Sequence, residues 1–211
     1  MVFDYEILLV ERFIELRMKN KAYVRECPFR WGNIDLVEYE TESKYYLSES
    51  QIKILKQKEN LIVFSLLYKH RPHTSDYISK KSGFTLEHTL KYLNSLIKSE
   101  IIFQENNLYR INTNIEFPDV LVKSYEMKLN DIKKAINQAV INKKYSDYSY
   151  VVMPQDKYKL CMEYKDVFQN CSVGLLLVSD NKVTEVIRAK KNKELTYAKF
   201  ASRIKLLESV I

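Results

Sequence analysis

Two residues of opposite charge lie near the end of Val120 to Lys128, a stretch with the pattern of a buried β-strand. Glu126 and Lys128 are two positions apart, and because side chains alternate across a strand we expect both to point to the same face. Leu121 and Met127 make the other face apolar, which is typical of a sheet covered on both sides. A charged pair at the end of a buried strand is costly unless its members satisfy each other or bind something. The pair is therefore a candidate site.

A third charged residue, Asp35, has apolar neighbours in the first part of the chain. Residues 4–20 carry apolar side chains at helical spacing, and residues 22–29 and 34–40 predict two strands joined by a turn at residues 30–33. Asp35 lies at the start of the second of these strands. Asp35 is an acid among apolar residues directly after a turn, which makes it a further candidate site residue.

The combination resembles the PD-(D/E)XK nuclease superfamily. Glu126-x-Lys128 precedes an amphipathic helix predicted over residues 130–144, which carries Gln138, and the hairpin with Asp35 precedes both. In that superfamily a helix, a hairpin bearing an Asp and a strand bearing Glu-x-Lys assemble a divalent-metal site for phosphodiester hydrolysis. The resemblance covers residues 1 to about 40 and about 118 to 190, and implies a restriction-endonuclease-like α/β fold, with a mixed sheet flanked by helices.

The resemblance also implies roles for the residues of the motif. Asp35 and Glu126 would hold Mg²⁺ or Mn²⁺, with the main-chain carbonyl of Met127 as a third ligand. Lys128 would orient the attacking water and stabilise the charge that develops on the phosphate.

Other residues would complete the site. Glu11 or Glu15 on the first helix, or Glu26 on the first strand, would fill the metal shell, and the choice among the three stays open. By resemblance, Gln138 would lie close to the metal.

Simpler interpretations stay open as well. Glu126 and Lys128 could form a surface ion pair on an edge strand, and Asp35 could cap the preceding turn. The sequence also departs from the family pattern, because Ile34 stands where a proline often precedes the Asp, and Asn142 stands where one branch has a tyrosine.

The long interval before Glu126 predicts a separate module at residues 50–112, inserted into a core formed by residues 1–49 and 113–211. A long helix over residues 51–68, a short helix from Ser75, a third helix from Thr85 to Ser99 and two short strands resemble a winged helix-turn-helix, with Thr85 as an N-cap.

The module is basic, which favours nucleic acid as its partner. The candidate DNA-binding residues are Lys80, Lys81, His88 and Lys91. All three histidines, His70, His73 and His88, belong to this module and lack metal-ligand spacing, so a histidine base in the core is excluded. A winged helix used for protein contacts or dimerisation is the open alternative.

Charge and composition set the broader frame. The chain of 211 residues has a net charge of +7, yet residues 1–50 carry 7 Lys and Arg against 10 Asp and Glu. The acidic excess thus falls where metal-binding carboxylates are expected. The 3 cysteines show no zinc or disulfide spacing, and the sequence has neither a membrane-spanning run nor a signal-peptide pattern, so we expect a cytoplasmic protein.

These observations predict a Mg²⁺-dependent DNA endonuclease or nickase positioned on DNA by its winged helix. The alternatives are a non-catalytic DNA-binding regulator that keeps the nuclease fold, and an adaptor that binds only proteins. We expect a homodimer if the substrate is duplex DNA, because a double-strand cut needs two active sites. A partner protein of a mobile-element or defence system is a further expectation, by association alone.

Overall fold

The computed structural model describes residues 3–30, 32–41, 47–69, 71–117 and 119–208, and these form two compact units. Unit 1 comprises residues 1–41 and 120–194, and unit 2 comprises residues 42–119 and 195–211. Trp31 of the predicted turn and His70 lie outside the described residues.

The helices and strands follow one another along the chain in the order α1 (Glu6–Arg17), β1 (Ala22–Arg30), β2 (Gly32–Thr41), α2 (Glu49–Leu55), α3 (Lys58–Leu67), α4 (Ser75–Ser82), α5 (Leu86–Lys98), β3 (Ile102–Glu105), β4 (Leu108–Ile111), β5 (Val120–Met127), α6 (Ile132–Asn142), β6 (Tyr148–Pro154), α7 (Tyr158–Glu163), α8 (Lys165–Cys171), β7 (Gly174–Val178), β8 (Val183–Ile187) and α9 (Tyr197–Glu208).

In the described part of unit 1, six strands form one mixed sheet, the main sheet, in the order β1-β2-β5-β6-β7-β8. The pairs β1–β2, β2–β5 and β7–β8 are antiparallel, and β5–β6 and β6–β7 are parallel. α6 connects the parallel strands β5 and β6, because such strands need a crossover. The predicted mixed α/β sheet flanked by helices is confirmed.

Apolar side chains cover both faces of the main sheet. Leu9 and Phe13 of α1 pack with Tyr125 and Val152 on one face, where the rings of Phe13 and Tyr125 lie 5.0 Å apart.

On the other face, Ile136 of α6 and Phe168 of α8 pack with Val151, Leu175 and Leu177. β5 is thus an inner strand, as its apolar run predicts.

Unit 2 contains α2 to α5, the β3–β4 hairpin and α9. Thr74 and Thr85 cap α4 and α5 by accepting hydrogen bonds from the backbone N–H groups of Tyr77 and His88, and Gly83 ends α4 in the left-handed conformation at φ 76°. The predicted N-cap at Thr85 is confirmed.

One helix predicted as continuous is broken. The helix expected over residues 51–68 is α2 and α3, because the buried amide of Asn60 donates to the carbonyl of Ile54 at 3.2 Å and to Gln57 at 2.9 Å, which fixes a turn between the helices. Residues 158–171 likewise form two helices, α7 and α8, which are separated at Tyr164, whose N–H donates to the carbonyl of Cys161.

The last helix was expected in the core, and this boundary is wrong. α9 packs in unit 2, because Phe200 inserts edge-on against Phe64 at a centroid distance of 5.4 Å and against Phe117 at 4.8 Å. Ile204 of α9 belongs to the same apolar cluster. Among the described residues, no helix has the length and apolar content needed to cross a bilayer.

The close approach of Gly174 to Tyr150 generates a first prediction. A Cβ at position 174 would overlap the Tyr150 ring and lie 2.9 Å from the Ala189 nitrogen, so Gly174→Ala should lower the free energy of unfolding by about 1–3 kcal/mol. Gly83→Asn is the control, since position 83 is open and Asn tolerates a positive φ. Guanidinium unfolding measures both variants, and an unchanged midpoint for Gly174→Ala would contradict the packing described here.

Candidate functional site

Asp35 and Glu126 lie on adjacent positions of two paired strands. Leu36 of β2 pairs with Tyr125 of β5 in antiparallel register, so the next pair toward the end of β5 is Asp35 and Glu126. Both side chains therefore share one face of the main sheet. The N–H of Met127 donates to Oδ2 of Asp35 at 2.7 Å, which fixes this carboxylate against the end of β5.

The ammonium of Lys128 lies among three carboxylates. Its Nζ is 3.0 Å from Oε2 of Glu6, 3.7 Å from Oδ2 of Asp35 and 3.9 Å from Oε1 of Glu126. The same ammonium donates to the carbonyl of Met127 at 2.7 Å. The predicted residues Asp35, Glu126, Met127 and Lys128 are thus brought together around one positive charge.

The pKa values of this cluster show an excess of negative charge. Burial lowers the pKa of Lys128, but Asp35, Glu6 and Glu126 outweigh burial and raise it above its ordinary value. Burial raises the pKa of Asp35, and although the Met127 N–H and Lys128 oppose this, Glu26 and Glu6 raise it further. One ammonium thus lies among several carboxylates, and burial together with their repulsion raises the pKa of Asp35.

Glu126 is fully buried, and a neighbouring amide holds it. Nδ2 of Asn142, the last residue of α6, donates to Oε2 of Glu126 at 2.9 Å. Asn142 is also fully buried. The sequence pattern did not single out Asn142 as a site residue.

The two simpler interpretations do not hold. β5 lies between β2 and β6, and Glu126 has no exposed surface, so Glu126 and Lys128 are not a surface pair on an edge strand. The Asp35 carboxylate accepts a hydrogen bond from β5 and contacts Lys128, so its role extends beyond capping a local turn.

The glutamates predicted to complete the site are only partly in place. Glu11 and Glu15 are exposed, and Glu15 pairs with Arg12 at 2.6 Å. Glu6, in the first turn of α1, is the glutamate of this helix that contacts Lys128, and the sequence did not indicate it. Glu26 is close enough to Asp35 to raise its pKa, and the amide of Asn33 holds it at 3.4 Å.

Gln138 lies on α6 one turn before Asn142, so both residues share a helix face. Its side-chain oxygen Oε1 is enclosed and accepts no hydrogen bond from the described residues. Gln138 is thus one turn from the amide that binds Glu126, and its expected role beside a metal stays a prediction.

The donor set around Lys128 consists of oxygen atoms, which are the ligands that Mg²⁺ and Mn²⁺ prefer. Among the described residues, no group of three or more His, Cys, Asp and Glu side chains is arranged as a metal site. The carboxylates instead converge on the Lys128 ammonium, with the Met127 carbonyl beside it. The oxygens of Asp35, Glu126 and Met127 are of the chemical type that a divalent cation binds, and in this structure the Lys128 ammonium lies among them.

The candidate DNA-binding residues all lie on the surface of unit 2. Lys80 and Lys81 are exposed on α4, and His88 and Lys91 are exposed on α5. Lys81 lies over the Tyr77 ring at 5.8 Å.

The surface of α5 also carries apolar side chains. Leu86 is 44% exposed and Leu90 is 37% exposed. This helix therefore offers both cationic and apolar contacts to a partner.

A second buried carboxylate, which the sequence pattern did not indicate, lies on β2. Glu38 accepts hydrogen bonds from the Tyr125 hydroxyl, from Lys21 at 2.9 Å and from Lys123 at 3.0 Å. Burial alone would raise the pKa of Glu38, but these donors lower it below its ordinary value. Three donors satisfy this carboxylate, which gives it a structural role.

No protein-family profile, curated protein or solved structure matches this chain.

The Glu38 network predicts a pH-dependent stability. Glu38→Gln should lower the free energy of unfolding by about 2–3 kcal/mol near pH 7, because it removes the buried charge that accepts hydrogen bonds from two partly exposed lysines and from the buried Tyr125 hydroxyl. The folded-state pKa lies below the ordinary value of 4.5, so the stabilisation is complete above pH 4.5 and is lost as the pH falls through the folded-state pKa. The gap between variant and parent should therefore close in acid.

Glu40→Gln is the matched control. Glu40 pairs with the same Lys123 at 2.7 Å, but its side chain is 58% exposed, so its loss should cost about 1 kcal/mol or less. Urea unfolding from pH 7 to pH 3 measures both. Equal losses for the two variants would show that Glu38 is not a buried anchor.

Proposed function

We propose that this chain is a metal-dependent DNA endonuclease or nickase with a restriction-endonuclease-like core. The observation that carries the proposal is the convergence of Asp35, Glu126 and the Met127 carbonyl on the ammonium of Lys128. Carboxylates and a lysine in this arrangement suit phosphodiester hydrolysis, which needs a metal site and a cation near the attacking water.

The strand order supports the same proposal. β1, β2 and β5 form an antiparallel series, and β6 joins β5 in parallel after α6. This is the order of helix, hairpin, Glu-x-Lys strand and helix that the resemblance implies for the core.

The residues of the site would have different roles in catalysis. Asp35, Glu126 and the Met127 carbonyl would hold Mg²⁺ or Mn²⁺, which supplies Lewis acidity to the scissile phosphate and a lowered pKa to a bound water. The Met127 N–H and the Asn142 amide keep the two carboxylates in position.

Lys128 would orient the attacking water and stabilise the negative charge that develops on the phosphate. Because the core contains no histidine and the raised pKa of Lys128 keeps it protonated, a carboxylate of the site or an oxygen of the phosphate would accept the proton of that water.

Unit 2 would place the enzyme on DNA as a winged helix-turn-helix. α5 follows the short helix α4 through the turn at Gly83, and the β3–β4 hairpin follows α5, as in that motif. The exposed residues Lys80, His88 and Lys91 would contact phosphates or base edges.

Cleavage of supercoiled plasmid and of single-stranded DNA with Mg²⁺ or Mn²⁺ tests the reaction. The parent should cut, and Glu126→Gln, Asp35→Asn and Lys128→Ala should each lower the rate at least about 100-fold, because each removes a ligand or the cation at the developing charge. Glu6→Gln and Glu11→Gln form a matched pair on α1, and only Glu6→Gln should change the rate, since only Glu6 contacts Lys128.

Thermal unfolding of each variant shows whether it still folds. A Glu126→Gln variant that cuts as fast as the parent would contradict the assigned site.

A non-catalytic DNA-binding regulator is the second candidate, favoured by one observation. Lys128 already pairs with the carboxylates of the site, as in a structural ion-pair cluster. Calorimetry separates the two candidates: the nuclease takes up Mn²⁺ in a manner that Asp35→Asn abolishes, whereas the regulator takes up none.

The winged-helix assignment predicts which lysines bind DNA. Lys80→Ala with Lys91→Ala should weaken duplex binding and reduce the slope of log K against log salt by about 0.9 for each lost phosphate contact. Lys53→Ala with Lys58→Ala is the control, because these lysines are exposed on α2 and α3 of the same unit and their loss changes the charge equally. Fluorescence anisotropy with EDTA measures affinity without cleavage.

Equal binding by the parent and the Lys80/Lys91 variant would favour a protein-binding role for this unit. The exposed Leu86 and Leu90 would then be the next residues to test, by sedimentation of their Ser variants.

A further inference from the structure

A basic groove of about 530 Å³ lies in unit 1, beside α8 and the end of β8. Of the described residues that line it, three are cationic (Lys165, Arg188 and Lys190) and none is acidic. The amides of Gln169 and Asn170 and the hydroxyl of Ser172 add neutral hydrogen-bonding groups. The lining is therefore suited to an anion that accepts several hydrogen bonds.

The backbone holds the cations in place. Ala189 is 4% exposed, while Arg188 and Lys190 on either side of it are exposed, so the segment after β8 keeps the alternation of an extended chain. The N–H of Lys190 donates to the carbonyl of Ser172 at 3.3 Å. Two positive charges are thus presented from a segment that is tied to the neighbouring loop.

The charge continues along the chain beyond the groove. Residues 188–193 contain Arg188, Lys190, Lys191 and Lys193 and no acidic residue. A linear series of cations at an exposed extended segment matches the regular spacing of phosphates along a nucleic-acid strand better than it matches a single compact anion.

The groove lies at β8, the edge strand of the main sheet, whereas the candidate site lies at the inner strand β5. Glu126, Val151, Leu175 and Ile187 are successive register partners on β5, β6, β7 and β8, and Ile187 lines the groove. Three strand spacings separate the ends of this row, which is about 14 Å. Along a duplex this span corresponds to about four base pairs.

We infer that this groove binds the backbone phosphates of a nucleic-acid strand at a third contact, in addition to the proposed metal site and winged helix. The inference rests on the proposed nucleic-acid function. Lys165, Arg188 and Lys190 supply the charge, and the amides and the hydroxyl supply neutral donors to phosphate oxygens. Such contacts read no sequence, and they hold the strand that flanks the cleavage point.

Fluorescence anisotropy with an oligonucleotide of about 20 nucleotides, single-stranded or duplex, tests this groove. The affinity is measured in EDTA, at salt concentrations between about 50 and 200 mM. Arg188→Ala with Lys190→Ala should weaken binding about tenfold near 0.1 M salt and reduce the slope of log K against log salt by about 1.4 for a single strand. The control, Lys133→Ala with Lys134→Ala, removes two exposed charges from α6, outside the groove, and should change affinity less than about threefold.

Equal losses in the two double variants would overturn the inference, because net charge alone would then explain the effect. Calorimetry with inorganic phosphate and with a mononucleotide covers the other source of the same chemistry. If either binds the parent as tightly as the oligonucleotide does, and loses that affinity in the Arg188/Lys190 variant, the groove serves a free phosphate compound and the strand assignment is wrong.

The outcomes separate this inference from the proposed nuclease function. A parent that binds DNA through Arg188 and Lys190 but cuts nothing contradicts the nuclease alone. If the parent cuts plasmid, and the Arg188/Lys190 variant binds DNA as tightly as the parent, the result contradicts the groove alone.

Discussion

The core of this protein depends on satisfying one largely buried ammonium, that of Lys128. Lys128 finds its counter-charges on Glu6, Asp35 and Glu126, which come from α1, β2 and β5. These segments are far apart in sequence, and a charge left unpaired in such a place is costly. The register between β2 and β5, and the position of the first turn of α1, are therefore coupled to a single side chain. A residue suited to catalysis also holds the fold together at this point.

Glu38 and Asp35, two carboxylates of β2 that bind lysines, differ in the direction of their pKa shifts. Glu38 has a lowered pKa, because three donors meet one carboxylate, and its ionised form stabilises the fold. Asp35 has a raised pKa, because burial and neighbouring carboxylates outweigh Lys128, and its ionised form is held at a cost in stability. Ionised groups that lower stability are most often found at functional sites. The direction of the pKa shift therefore distinguishes the candidate site from the structural network around Glu38.

The sequence predicted most of what depends on local pattern. Asp35, Glu126 and Lys128 could be placed because strand alternation and apolar neighbours determine where such side chains point. Glu6 could not be placed in this way. The apolar stripe of a helix indicates which of its faces is buried, but not which of its ends lies beside the end of β5. The break between α2 and α3 depends on the buried amide of Asn60, and the position of α9 depends on Phe200, and both are tertiary contacts without a local signal.

The division of the chain between the two units also sets an order of folding during synthesis. All strands of the main sheet are complete once residue 187 has been made, but the aromatic cluster around Phe64 needs Phe200 from α9. Synthesis at about 5–20 residues per second places Phe200 on the order of ten seconds after β4. During that interval the apolar surface of α3 has no Phe200 to cover it, so the helical unit is the part of the nascent chain that most needs protection from aggregation.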